Sequence, residues 1–176
     1  MKLTIQIIVY LSIKLLFLNE GMLFAQIISS EQFEKLIFYT EANQTFQFSK
    51  TENYFVILQN SKKCDDCFRD INSFINSHKD SIHANLVVVT YIDSNTLERK
   101  RTFAHNKKLM PDFTTYLFQY HNSSTPTLFE ICKTNFSPEL LVIEKEKYKH
   151  ISYKDLFNFP TSEFTPEVKA LVFNLP

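Results

Sequence analysis

Tyr54-Phe55-Val56-Ile57-Leu58-Gln59-Asn60-Ser61-Lys62-Lys63-Cys64-Asp65-Asp66-Cys67-Phe68 is the stretch that decides the fold. Its first five residues are an unbroken apolar run of aromatic and branched side chains, which reads as a buried strand. Beyond the cysteines, Phe68, Ile71, Phe74, Ile75 and His78 recur at helical spacing. Cys64 and Cys67 therefore sit at a strand-to-helix junction, at or near the first turn of the helix. The N–H groups of that turn have no intrahelical partners, and the helix dipole favours negative charge there. A thiolate in that place is stabilised and becomes a usable nucleophile. A C-x-x-C at the head of a helix after a strand is the physical arrangement for thiol–disulfide exchange.

Working outward, Leu86-Val87-Val88-Val89-Thr90-Tyr91-Ile92 reads as a second buried strand. Strand, helix and strand at this spacing make a βαβ unit with parallel strands and a right-handed crossover. Upstream, Ser29-x-x-Gln32 is a capping box, and Phe33, Leu36, Ile37 and Tyr39 give a helical face up to about Glu41. Residues 43–50 are polar and read as a turn with a short strand. Downstream, residues 95–108 are polar and basic and read as a surface segment. Phe113, Tyr116, Leu117 and Tyr120 form the stripe of a predicted helix starting near Pro111. Thr125-Pro126 then precedes a predicted strand at 127–131, hairpinned with another at 140–143. Ser152 to Phe157 forms a last short helix, and residues 160–176 have no clear period. No internal repeat or second domain is visible.

The first 25 of the 176 residues read as a leader. Met1-Lys2 is a basic start, Ile5 to Leu18 is mostly apolar, and Leu23-Phe24-Ala25 resembles a cleavage site. Lys14 interrupts the apolar stretch, and the alternative is an uncleaved anchor, although the uninterrupted run is short for a span. The chain from residue 26 onward is long enough for one domain with a core of its own. The whole chain carries 19 basic and 19 acidic residues, which argues against nucleic acid or an anionic membrane surface as partner. Its single glycine, Gly21, lies in the leader, so glycine-rich phosphate-binding loops are excluded and turns must use Asn, Asp, Ser and Pro. Export into an oxidising compartment would let the close cysteines hold a disulfide and leave Cys132 over.

The order of elements resembles the thioredoxin-like fold superfamily over residues 53–158. Two motifs carry the resemblance: Cys64-Asp65-Asp66-Cys67, and Ser124-Thr125-Pro126-Thr127-Leu128-Phe129, which looks like the cis-proline loop ahead of a central strand. The resemblance implies an α/β three-layer sandwich with a mixed central sheet and flanking helices. The expected organisation is a leader at 1–25, an N-terminal extension at 26–52, the thioredoxin-like domain at 53–158 and a C-terminal tail at 159–176. It implies a site made of Cys64, Cys67 and Pro126, with Pro126 opposite the cysteines. The implied activity is disulfide exchange with protein thiols or disulfides, reset by a redox partner the sequence does not name, in the periplasm or outside the cell. No cofactor is implied. The alternative is a non-catalytic binding module that holds a partner at the face around Pro126. Several residues depart from the pattern. Lys63 stands where the superfamily often has Trp, Asp65-Asp66 replaces Gly-Pro, and no acidic residue lies within Tyr54 to Leu58, where thioredoxins bury a carboxylate.

Cys64 is expected to be the nucleophile and Cys67, one turn inward, the resolving thiol. A structural disulfide remains open as the alternative. A zinc site is disfavoured, because one C-x-x-C supplies two of four ligands and neither Cys132 nor the five histidines add a ligand spacing. Asp65 and Asp66 favour the helix but oppose a neighbouring thiolate, while Lys62 and Lys63 pull the other way. A less stabilised thiolate means a more reducing couple, hence a reductase or isomerase rather than a donor of disulfides. Cys132 reads as a small buried hydrophobe and His78 as a packed histidine. Asn43-Gln44-Thr45 and Asn122-Ser123-Ser124 match the glycosylation pattern.

Overall fold

The computed structural model describes residues 25–59, 64–92, 96–121, 124–134, 138–158 and 163–173. The leader up to residue 24, Lys62, Lys63 and the Asn122 glycosylation pattern lie outside them. The elements in chain order are β1 (Ala25–Ile28), α1 (Ser30–Glu34), β2 (Phe38–Tyr39), β3 (Thr45–Phe46), β4 (Asn53–Gln59), α2 (Asp65–His78), β5 (Asn85–Ile92), α3 (Thr96–Leu109), β6 (Thr115–Tyr120), α4 (Leu128–Ile131), β7 (Glu139–Glu144), β8 (Lys147–Ile151), α5 (Tyr153–Leu156), β9 (Phe157–Asn158), β10 (Glu163–Phe164) and α6 (Pro166–Phe173).

The unbroken apolar runs become the middle of one mixed sheet, in the order β1-β8-β7-β4-β5-β6-β2-β3. β4 is parallel to β5, with Val56 opposite Val87, and antiparallel to β7, with Leu58 opposite Glu139. β6 continues the parallel set beside β5. Strands covered on both faces need apolar residues at every position, which is why these runs show no alternation. Successive side chains still point to opposite faces. Phe55, Ile57, Val88, Leu140 and Val142 pack against Phe68, Ile71 and Ile75 of α2 and Val168 of α6. Val56, Leu58, Val87, Val89, Leu141 and Ile143 pack on the other face against Phe33 of α1 and Leu128 and Phe129 of α4. The result is the expected α/β sandwich of helix, sheet and helix layers.

Several local expectations are corrected. The helix expected from Pro111 is strand β6, whose Tyr116, Leu117 and Phe118 are all buried between β5 and β2. The strand expected at 127–131 is helix α4. Thr127 caps it by accepting the Glu130 N–H at 3.2 Å, and the Glu130 carboxylate accepts the Thr127 N–H at 2.7 Å. The hairpin consequently joins β7 to β8, not 127–131 to 140–143. Where a surface segment is expected at 95–108, helix α3 runs from Thr96 to Leu109, and its buried residues are the polar Arg99, Thr102 and Asn106. The first helix stops at Glu34, well before Glu41, although Ser29 and Gln32 make the expected capping box. The segment before residue 53 adds β1, β2 and β3 to the same sheet. The C-terminal segment buries Phe164 and Val168 in the α2-side core. Among the described residues, no helix is long and apolar enough to cross a membrane. Turns without glycine put Asn43, Lys133 and Lys145 in the left-handed region, at φ 64°, 51° and 55°.

Candidate functional site

Helix α2 begins where the chain leaves β4, and Cys64 is its N-cap. The Cys64 sulfur accepts the Cys67 N–H at 3.3 Å, and the Cys64 carbonyl accepts the Phe68 N–H at 3.2 Å. A cysteine sulfur thus takes the position usually held by a capping oxygen, where a helix N–H and the dipole both meet negative charge. The two cysteines form a disulfide with Cα atoms 5.3 Å apart. Cys64 is half-buried, whereas Cys67 is 6% exposed and faces the core with Phe68. An incoming sulfur therefore reaches Cys64 before Cys67.

The acids between them are not free charges. Asp66 pairs with Arg69 one turn on, and the Asp65 carboxylate meets His105 Nε2 of α3 at 3.3 Å. Their side chains are 84% and 44% exposed, so water screens both.

Pro126 does not precede a strand. It is exposed, comes after β6 two strands away from β4, and opens α4 on the face opposite α2. The proline directly ahead of a strand beside β4 is Pro138. It is buried, and the next residue, Glu139, lies opposite Leu58, so Pro138 adjoins the end of β4 from which the chain runs on to Cys64. Pro138-Glu139-Leu140-Leu141-Val142-Ile143 carries the same local signal as the Pro126 segment, a proline before an apolar run.

β4 lacks an acid, yet the sheet buries one at the same level. Glu139 accepts a 2.6 Å hydrogen bond from His150 Nε2 of β8, and both side chains are buried. Cys132 lies in the same core, reduced and 4% exposed. Burial, helped by the Glu139 charge, pushes its thiol up to about 12. His78 packs as expected, stacked on Phe74 with ring centroids 4.4 Å apart. Among the described residues, no three His, Cys, Asp or Glu side chains converge on a metal position.

No known protein family matches the sequence, and no curated protein does. Solved structures do match. An uncharacterized thioredoxin-like protein from Porphyromonas gingivalis is 14% identical over 78% of this chain and 90% of its own, with a TM-score of 0.54. DsbF of Mycobacterium tuberculosis, solved in mixed oxidized and reduced forms, is 14% identical over 81% and 96%, with a TM-score of 0.51. An uncharacterized conserved protein from Geobacillus kaustophilus is 8% identical over 80% and 77%, with a TM-score of 0.53. Likeness at these identities speaks for the fold, and with the Cys64–Cys67 pair at the head of α2 it makes this chain a divergent protein of thioredoxin-like fold.

Proposed function

We propose that the chain exchanges disulfides with protein substrates through Cys64 and Cys67. In the reducing direction the Cys64 thiolate attacks a substrate disulfide, one substrate sulfur leaves and takes up a proton, and a mixed disulfide forms. The Cys67 thiol then loses its proton and attacks Cys64, which releases the second substrate thiol and closes the Cys64–Cys67 bond. Two electrons pass to the substrate and no further cofactor takes part. The observation that carries this reading is Cys64 as N-cap, accepting a helix N–H at 3.3 Å and more exposed than Cys67. In this reading Pro138, rather than Pro126, borders the site and shapes the approach of the substrate chain. Asp65 and Asp66 support a reductase or isomerase over an oxidase. The leader composition supports export to the periplasm or beyond, with the membrane involved only if the leader is retained. An unidentified protein partner resets the pair.

The second reading, a binding module without turnover, is favoured by the lack of an acidic residue from Tyr54 to Leu58, the stretch in which the resemblance implies a buried carboxylate. Reduction of insulin disulfides by the purified chain, with Cys64→Ser as control, separates the two. Turnover abolished by the substitution supports exchange. A wild-type rate no higher than that of Cys64→Ser leaves the binding module in first place.

A further inference from the structure

On the α2 side of the sheet, the carboxyl ends of β4 and β5 are not apolar. Gln59 shares a face with Phe55 and Ile57, and Thr90 stands beside it in register on β5. Asn106 of α3 completes the group, and the three residues are 0%, 2% and 0% exposed. The Thr90 hydroxyl donates to Gln59 Oε1 at 3.0 Å and accepts from Asn106 Nδ2 at 2.9 Å. Gln59 Nε2 and Asn106 Oδ1 are then left buried without a protein partner. Reversing both carboxamides reverses the direction of the chain and again leaves one donor and one acceptor.

The same part of α3 reaches the cysteine helix, since His105 precedes Asn106 and meets Asp65. Cys67 turns inward from that first turn. The polar chain and Cys67 are thus held on one face of the sheet, at one end, by the same two helices. A buried donor and acceptor without partners cost stability, so their retention requires an occupant. One water molecule would satisfy both, accepting from the amide of one side chain and donating to the oxygen of the other. It keeps one hydrogen and one lone pair for a third group.

We propose that Gln59, Thr90 and Asn106 seat an internal water that hydrogen-bonds the Cys67 sulfur while it is a thiolate, which makes them positioning residues for the resolving step. This rests on the exchange reaction proposed above. In the mixed disulfide the Cys67 S–H gives its proton to solvent, and the thiolate attacks Cys64. The Cys64–Cys67 bond forms, the bond from Cys64 to the substrate sulfur breaks, and the departing thiolate takes up a proton. The seat is neutral and stores no proton. Among the described residues, the titratable and charged groups on the elements around it include Asp65, Asp66 and Arg69 on α2, Arg99 and His105 on α3 and, across the sheet, Glu139 with His150.

The test measures resolution of a preformed glutathione mixed disulfide of the full chain across pH. Gln59→Leu and the shape-conserving Thr90→Val should slow resolution about tenfold at neutral pH and move the profile up by about one pH unit, the loss of one hydrogen bond to a charged sulfur. Attack of Cys64 on glutathione disulfide, read in a Cys67→Ser background, should not change. Gln59→Glu should add a second, acidic limb to the profile. If the wild-type chain never reacts with glutathione disulfide, both the exchange reading and the seat are overturned. If it reacts, and folded Thr90→Val keeps the wild-type pH profile, the seat alone is overturned.

Discussion

Replacing Asp65 and Asp66 together by Asn should make the Cys64–Cys67 couple more oxidising, and only slightly. The reduced form carries negative charge on the Cys64 sulfur, held by the N-cap position, and the two acids stand beside it. Taken alone, a unit charge acting on another at about 7 Å through water is worth roughly 0.6 kcal/mol. Physiological salt removes roughly half of that at such a separation. Arg69 beside Asp66 offsets part of the remainder. The two substitutions together are then worth about 0.5 kcal/mol. For a two-electron couple, where 30 mV corresponds to about 1.4 kcal/mol, this is a shift of about 10 mV. That is a small part of the range from roughly −270 mV to roughly −120 mV, so the acids set the direction of the shift and only a fraction of the potential. Both proteins are equilibrated against a glutathione series, quenched in acid and counted as reduced and oxidised forms. No shift, or a shift in the reducing direction, would refute the electrostatic reasoning. A shift of about 60 mV or more would refute it differently, by showing that these exposed acids act through a medium much less polar than water.

Other parts of the molecule give sharper stability readouts. His150→Leu leaves the Glu139 carboxylate buried without its partner and should cost roughly 3 kcal/mol in urea unfolding, while His150→Leu with Glu139→Leu should recover most of it. A double-variant loss equal to the sum of the two single losses would show that the pair is not coupled. Cys132, with its thiol pushed up to about 12, should resist iodoacetamide at pH 8 until the chain unfolds. Because that value is raised from 9.0, the Cys132 contribution to stability is fully present below pH 9 and is lost as pH climbs towards 12. Cys132→Ala should therefore flatten the alkaline limb of the stability curve, and an unchanged limb would place its cause elsewhere. Lys145→Gly relieves a left-handed backbone position in the β7–β8 turn and should stabilise the fold by about 1 kcal/mol, measured as a higher urea midpoint at unchanged slope.

The βαβ unit and the cysteine pair were legible because burial on both faces and helical spacing write themselves into contiguous residues. The errors arose where local pattern and tertiary pairing disagree. Phe113, Tyr116, Leu117 and Tyr120 satisfy helical spacing, yet the contiguous Tyr116-Leu117-Phe118 belongs to a strand covered on both sides. At 127–131 the apolar run outweighed a capping box that was present in the letters. α3 left no apolar stripe to read because its buried face is polar: Arg99 reaches Asn43 at 3.2 Å and the Tyr120 hydroxyl at 2.9 Å. Pro126 and Pro138 both precede apolar runs, and only the pairing of β7 with β4 separates them. Such a register is set by residues far apart in sequence and has no local signature. The Glu139–His150 pair and the Gln59–Thr90–Asn106 chain are likewise products of strand order.

The position of β7 gives the site a history in time. The cysteines are three residues apart, and α2 with its flanking parallel strands is built from near neighbours in sequence, so this half forms from short-range contacts. β7 must return from beyond α4 before it can zip onto β4, and contacts of such long range form late. Pulse-labelling of thiols during refolding would resolve the two stages. We expect a newly made chain to pass through an interval in which its cysteines already stand at a helix start but β7 has not yet brought Pro138 to the end of β4. On the exchange reading proposed above, it would then trade sulfurs with any thiol at hand, and discrimination among partners would begin only when the last central strand docks.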